Sequence, residues 1–217
     1  MSDFETRRRM MVDTQVRPSD VTKYPIIDAM LSVPREDFVP DDQREAAYSE
    51  TQISLAPGRV LLEARCFAKL LDVLSIQPDE LVLVVAAGLG YGAAVLAQLG
   101  DFVVALEEDD GLAGEAESRL AGEGVDNVAV INEALTAGAS KHGPYDVILI
   151  EGAVETVPQV ILDQLRENGR IATIFSEDNL GIAKIGHKID GAVNWRFAFN
   201  ASAPVLPGFT ATKEFAL

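Results

Sequence analysis

From residue 81 onward the sequence alternates short apolar runs with helix-patterned stretches, and this alternation narrows the available folds more than anything else in the chain. Leu81-Val82-Leu83-Val84-Val85-Ala86 is uninterrupted apolar sequence, the pattern of a strand buried on both faces. Phe102–Leu106, Val128–Ile131, Val147–Ile150 and Arg170–Phe175 are further strand candidates. Helical segments over Ala93–Leu99, residues 111–122 and Val157–Leu165 lie between them. Strands and helices in alternation predict a doubly wound, mostly parallel α/β sheet with right-handed crossovers. The last stretch changes character: Ile182–Ile189 and Asn194–Phe199 read as an antiparallel hairpin joined by Asp190-Gly191.

Residues 1–57 read as an N-terminal helical extension and residues 58–217 as the α/β domain, the two forming one compact unit. Ser19-Asp20 reads as a helix N-cap, with Ile26, Ile27, Met30 and Leu31 following at helical spacing. Val33 to Pro40 is bounded by two prolines, and residues 41–49 read as another short helix. Pro57-Gly58 is turn chemistry ahead of a strong helix, in which Cys66, Phe67, Leu70, Leu71 and Leu74 form an apolar stripe.

Charge and composition exclude several classes. A formal charge of −16 argues against a nucleic-acid partner, since phosphate binding needs clustered Lys and Arg and the chain has only Arg7-Arg8-Arg9. With one cysteine, Cys66, an internal disulfide and a Cys-rich metal site are both ruled out, and no metal ligand set is expected. No apolar run reaches the roughly 18–20 residues of a membrane-spanning helix. The basic residues near the start are not followed by the apolar stretch of a secretory signal, so a cytoplasmic address is expected.

In an open parallel sheet, ligands bind beyond the carboxyl ends of the strands. The turn after the first strand is Gly88-Leu89-Gly90-Tyr91-Gly92, which permits positive φ and close backbone approach and opens into a helix with free N–H groups. Nineteen residues after Gly88, at the end of the second strand, stands Glu107, an acid able to accept hydrogen bonds from both hydroxyls of a ribose. Together they point to a nucleoside-containing cofactor. The plainer alternative is a tight turn followed by a helix start capped by Asp109. Gly88-x-Gly90-x-x-Ala93 also satisfies the nicotinamide dinucleotide fingerprint. Only about 110 residues follow Glu107, however, with two histidines, His142 and His187, and no second catalytic domain.

Several motifs, in order, resemble the protein-L-isoaspartate O-methyltransferase family over nearly the whole chain. They are Met11-Val12-Asp13-Thr14-Gln15-Val16-Arg17, Val33-Pro34-Arg35-Glu36-Asp37-Phe38-Val39-Pro40, Ala47-Tyr48, Gln52-Ile53-Ser54, the glycine turn with Tyr91, and Asp146–Glu151 leading to Val157-Pro158. The Val-Pro-Arg-x-x-Phe-Val-Pro segment is the most specific. Ile150–Glu155 and Pro204-x-x-Pro207-Gly208-Phe209 are similar to a divergent bacterial branch of that family. The resemblance implies the class I S-adenosylmethionine-dependent methyltransferase fold, S-adenosylmethionine as cofactor, and methyl transfer to a carboxylate of a protein or peptide. By position, Ser54 would face the substrate carboxylate as the catalytic hydroxyl. Gly88, Leu89, Gly90, Tyr91, Glu107 and Glu151 would hold the cofactor, with Glu108 and Glu133 as supplementary contacts and Ala134 where an acid normally meets the adenine amino group.

The chain departs from the family pattern in places that matter for the cofactor. Val84 stands where an acid usually helps hold the methionine end, Ala86 replaces the first glycine of the motif, and Leu55-Ala56-Pro57-Gly58 follows Ser54 instead of Gln-Pro. Losing one charge-assisted hydrogen bond and one ordinary one costs roughly 2–4.5 kcal/mol, or about 30- to 2000-fold in affinity. These substitutions motivate a second reading, a non-catalytic descendant that keeps the fold as a binding or assembly module; an NAD-dependent oxidoreductase is a third. The sequence leaves the methyl acceptor and homodimer formation open.

Overall fold

The computed structural model describes residues 3–177 and 180–211. Helix α1 (Asp3–Met11) runs through a π turn and a 3₁₀ turn to α2 (Tyr24–Ser32), and 3₁₀ turns at Arg35–Phe38 and Asp41–Ala46 follow. A small hairpin, β1 (Ile53–Ala56) and β2 (Arg59–Leu61), precedes α3 (Ala64–Leu74). The sheet then begins: β3 (Leu81–Val85), α4 (Tyr91–Leu96), β4 (Phe102–Glu107), α5 (Asp110–Gly122), β5 (Val128–Asn132), β6 (Tyr145–Val154), α6 (Gln159–Asp163), β7 (Leu165–Glu177), β8 (Leu180–Ile189) and β9 (Ala192–Asn200).

The seven strands lie in the order β5-β4-β3-β6-β7-β8-β9. β3 to β7 pair in parallel, while β7–β8 and β8–β9 are antiparallel. The order reverses at β3, so β3 and β6 flank the switch point where such sheets receive ligands. This is the doubly wound sheet with a terminal antiparallel hairpin that the sequence pattern implies. Asp190 and Gly191, both at positive φ, make the hairpin turn.

Because side chains alternate along a strand, each apolar run feeds two cores. Val82, Val84, Val103, Ala105, Val147 and Leu149 pack with α2, α3 and α4 on one face. Leu83, Val85, Val104, Leu106, Ile148 and Ile150 pack on the other with Ile161, Leu206 and Phe209. The terminal Pro-x-x-Pro-Gly-Phe segment is part of that second core. Phe209 is fully buried, and its carbonyl accepts from the Glu155 and Thr156 N–H groups just past β6.

Three local readings of the sequence are corrected. Ser19-Asp20 does not cap α2: Ser19 closes a 3₁₀ turn, Asp20 is left-handed, and the helix starts after Lys23 with Pro25 in its first turn. Proline's fixed φ and absent N–H make it a helix-start signal in its own right. The short helix read over residues 41–49 is of the 3₁₀ type and covers only Asp41–Ala46. Pro57-Gly58 joins the two strands of the β1–β2 hairpin, and α3 begins only at Ala64.

The most specific motif is structural. Arg35 is wholly buried and donates to the carbonyls of Ala47 (2.7 Å) and Leu62 (2.7 Å), tying the N-terminal layer to the start of α3. Arg8 reaches Glu36 at 3.1 Å and the Tyr48 hydroxyl at 3.0 Å, and Tyr48 also bonds Glu36. Gln15 donates to the Tyr48 carbonyl at 2.9 Å.

Candidate functional site

β3 ends in a turn built from left-handed residues: Ala86 at φ 68°, Gly88 at 57° and Gly90 at 94°. The glycines adopt that conformation freely, whereas Ala86 carries a strain of roughly 1–2 kcal/mol. Its N–H and that of Ala87 both donate to the Leu106 carbonyl, at 3.0 and 3.1 Å, and this locks the turn to β4. Gly88, Leu89, Gly90 and Tyr91 therefore sit where α4 begins, at the carboxyl edge of the sheet.

Glu107 ends β4 beside that turn and is completely buried. One carboxylate oxygen accepts from Arg59 Nη1 at 2.7 Å and the Asp109 N–H at 3.1 Å; the other accepts from Arg59 Nη2 and the Gly88 N–H at 2.8 Å. An ionised carboxylate has about four acceptor positions, and these donors use them all. Arg59 reaches inward from β2, and its side chain is 6% exposed. From the same hairpin, Leu55 lies on the glycine turn: a Cβ at Gly88 would meet Leu55 Cδ1 at 2.5 Å.

Glu151, near the end of β6, is the second buried acid. Its Oε1 has no hydrogen-bond partner, and neither do Arg35 Nη1 and the Tyr91 hydroxyl. The Arg35 guanidinium stacks over the Tyr91 ring at 4.8 Å. Burial pushes the Glu151 carboxyl up to about 8; Arg35 and Arg59 oppose the rise, and Glu107 adds to it. Gly92 allows this acid its position, because a Cβ there would lie 1.5 Å from Glu151 Oε1. Gly92→Ala is expected to cost roughly 1–3 kcal/mol in denaturant unfolding by overpacking this spot. Glu151→Ala in the same background should recover part of the loss; equal losses with and without Glu151 would refute the contact as the cause.

The remaining candidates face outward. Glu108 is exposed and accepts from the Leu135 N–H at 3.3 Å. Exposed Glu133 pairs with Lys141 at 3.0 Å, and Ala134 beside it is exposed too. Ser54 lies exposed on β1, immediately before Leu55, and its carbonyl accepts from Gln43 at 3.0 Å. Asp109 caps α5, its side chain accepting from the Leu112 N–H at 2.9 Å, so capping and a position beside the ligand turn coexist here.

The model of the family "Protein-L-isoaspartate(D-aspartate) O-methyltransferase (PCMT)" matches residues 6–197. The chain belongs to this family. A protein-L-isoaspartate O-methyltransferase of Synechococcus sp. is 35% identical over 174 residues, 80% of this chain and 71% of that protein. One from Methylorubrum extorquens is 35% identical over 169 residues, 78% of this chain and 74% of its own length. Among solved structures, a protein-L-isoaspartate O-methyltransferase superposes with a TM-score of 0.80 at 21% identity, covering 93% of this chain and 66% of that one. A Plasmodium falciparum protein of the same description, in complex with S-adenosyl-L-homocysteine, gives 0.78 at 17% identity over 95% of this chain and 99% of its own. These structures share the fold of the isoaspartyl methyltransferases.

S-adenosylmethionine is the cofactor of this methyltransferase family, and in the folded chain the groups placed to meet its adenosyl part are engaged by protein atoms. The acid placed to hold a ribose has spent its acceptor positions on Arg59 and two backbone N–H groups. The glycine turn that would lie against the ligand is covered by Leu55. Gly88, Leu89, Gly90, Tyr91, Glu107 and Glu151 are all buried against protein atoms. Sequence reasoning brought the glycine turn and the two acids together, but it missed Arg59 and Arg35, the charges that govern those acids. For Arg59 the available signal was an arginine directly after Pro57-Gly58; Arg35 stood in the Val-Pro-Arg-x-x-Phe-Val-Pro motif.

Proposed function

We propose that this protein methylates the free side-chain carboxylate of isoaspartyl residues in proteins or peptides, with S-adenosylmethionine as methyl donor, in the cytoplasm. The observation that carries the reading is the family match over residues 6–197, together with a glycine turn and a buried strand-end acid at the switch point of the sheet. A carboxylate acceptor is already ionised near neutral pH, so the site needs no strong general base. What the protein must supply is position and exclusion of water. Ser54 is the residue proposed to orient the acceptor: it is exposed, one residue from the side chain that covers Gly88. The cofactor is proposed to bind weakly, because Val84, Ala86 and Ala134 stand where the family resemblance implies stronger contacts and because Arg59 already holds Glu107.

The test is transfer of radiolabelled methyl groups from S-adenosylmethionine to an isoaspartyl peptide, scored as base-labile methyl ester. Ester above background with the isoaspartyl peptide, and none with its aspartyl twin, is the expected result. Ser54→Ala should lower it at least tenfold while leaving the melting temperature within about 2 °C, because the residue is exposed and a surface substitution changes stability little. Background-level ester, with a competent enzyme working alongside, sinks the reading.

A further inference from the structure

We infer that the β1–β2 hairpin is a built-in occupant of the cofactor site, with Arg59 holding the Glu107 carboxylate that a ribose would otherwise engage. The inference rests on the reading that the chain uses S-adenosylmethionine, and it identifies Arg59 as the residue that sets how tightly the cofactor binds.

Three observations converge on the hairpin. Arg59 makes a two-pronged pair with Glu107 and, with the Gly88 and Asp109 N–H groups, saturates it. A ligand hydroxyl can bond this carboxylate only by displacing one of those donors. Two are fixed main-chain groups of the turn and of the α5 cap, so Arg59 is the donor that can leave. Next, Leu55 covers Gly88 from the same hairpin, so one movement would uncover the turn and release the acid together. Finally, the hairpin is held by side-chain contacts, with Ile53 and Leu61 packed into the core and Arg59 on Glu107. Its strands of four and three residues form a separate two-stranded sheet, with no strand pairing to the main sheet. Such a ribbon is marginal on its own. Beside the Arg59 pair, its side-chain hydrogen bonds run from Gln43 to the Ser54 carbonyl and, at its two ends, from Gln52 to the Ser202 carbonyl and from Arg35 to the Leu62 carbonyl.

Closed and open hairpin thus form a two-state element, and the cofactor's apparent affinity is its intrinsic affinity scaled by the open fraction. Ser54 rides on the same ribbon, so the hydroxyl proposed to face the acceptor moves when the cofactor site opens. Closure and acceptor positioning are therefore one device.

Calorimetric titration of the full chain with S-adenosylhomocysteine tests this, comparing wild type with Arg59→Lys and Arg59→Met. Lysine keeps a charge beside Glu107 but loses the two-pronged geometry. The expected result is binding at least tenfold tighter in Arg59→Lys than in wild type, and tighter again in Arg59→Met where that variant folds. Amide hydrogen exchange of residues 53–61 in wild type provides a second readout that needs no variant. Saturating S-adenosylhomocysteine should make these amides exchange at least tenfold faster. Micromolar binding that Arg59→Lys leaves unchanged or weakens, with residues 53–61 equally or better protected, overturns the hairpin as occupant and leaves the methyl-transfer reading standing. Silence of every form up to millimolar ligand removes that reading and the inference together.

Discussion

Glu107→Ala is expected to lower the unfolding free energy by about 3–5 kcal/mol, more than any other single truncation of the candidate site. The mechanism is the orphaned cation, not the lost attraction. Arg59 sits 5% exposed, and its guanidinium has both terminal nitrogens on this one carboxylate. Removing one partner of a buried pair leaves an uncompensated charge, and that is where the cost lies. A double change, Arg59→Met with Glu107→Leu, removes both charges and should cost less than Glu107→Ala alone, although it alters two residues. It should not return to wild type. The Gly88 and Asp109 N–H groups lose their acceptor as well, and an unmet buried donor costs about 1–3 kcal/mol. Urea denaturation of wild type, both singles and the double would settle the point. A loss under about 1 kcal/mol for Glu107→Ala would mean that the guanidinium escapes to water, and that the hairpin is far looser than its packing shows.

The strand system was legible because a buried parallel strand and a turn of glycines leave strong local marks. Val82 to Val85 need no context to be read as core, and Asp190-Gly191 announces its hairpin in two residues. What escaped is held by partners remote in sequence. Helix α1 carries no apolar stripe; it is pinned by Arg8 on Glu36, Arg7 on Glu45 and Phe4 packed 6.5 Å from Tyr48. The β1–β2 hairpin has strands too short to show a period, and its decisive contact joins residues 48 apart. The glycine turn could be located from sequence, since its chemistry is local. Whether its ligand face is free could not, since that depends on where Arg59 and Leu55 fold back. Ala86 is the instructive middle case. The sequence shows an alanine just ahead of the glycine turn, and only the backbone shows that it takes a glycine's conformation at φ 68°.

Glu151→Gln should make the protein more stable at pH 8, by on the order of 4 kcal/mol, and leave it unchanged near pH 4. Burial raises the Glu151 carboxyl from its ordinary 4.5 to about 8, so the folded state holds a proton that the unfolded chain releases. The sign follows from linkage. Below pH 4.5 both states are protonated and the raised value costs nothing. Between 4.5 and about 8 the unfolded chain alone ionises, and folding stability falls as pH rises; above about 8 both are ionised and the loss levels off. The charges facing this acid are Arg35 and Arg59, which favour ionisation, and Glu107, which opposes it, with the Tyr91 hydroxyl beside Arg35. Arg59 is paired with Glu107, and Arg35 makes no hydrogen bond to Glu151 although its Nη1 has no other partner, so desolvation outweighs the two cations. Glutamine keeps the shape and cannot ionise, so its melting temperature should stay flat from pH 5 to 8 while the wild type drops by about 10 °C relative to it, taking a few degrees per kcal/mol for a chain of this size. Parallel melting curves across that range would show that Glu151 finds a counter-charge or water that this packing withholds.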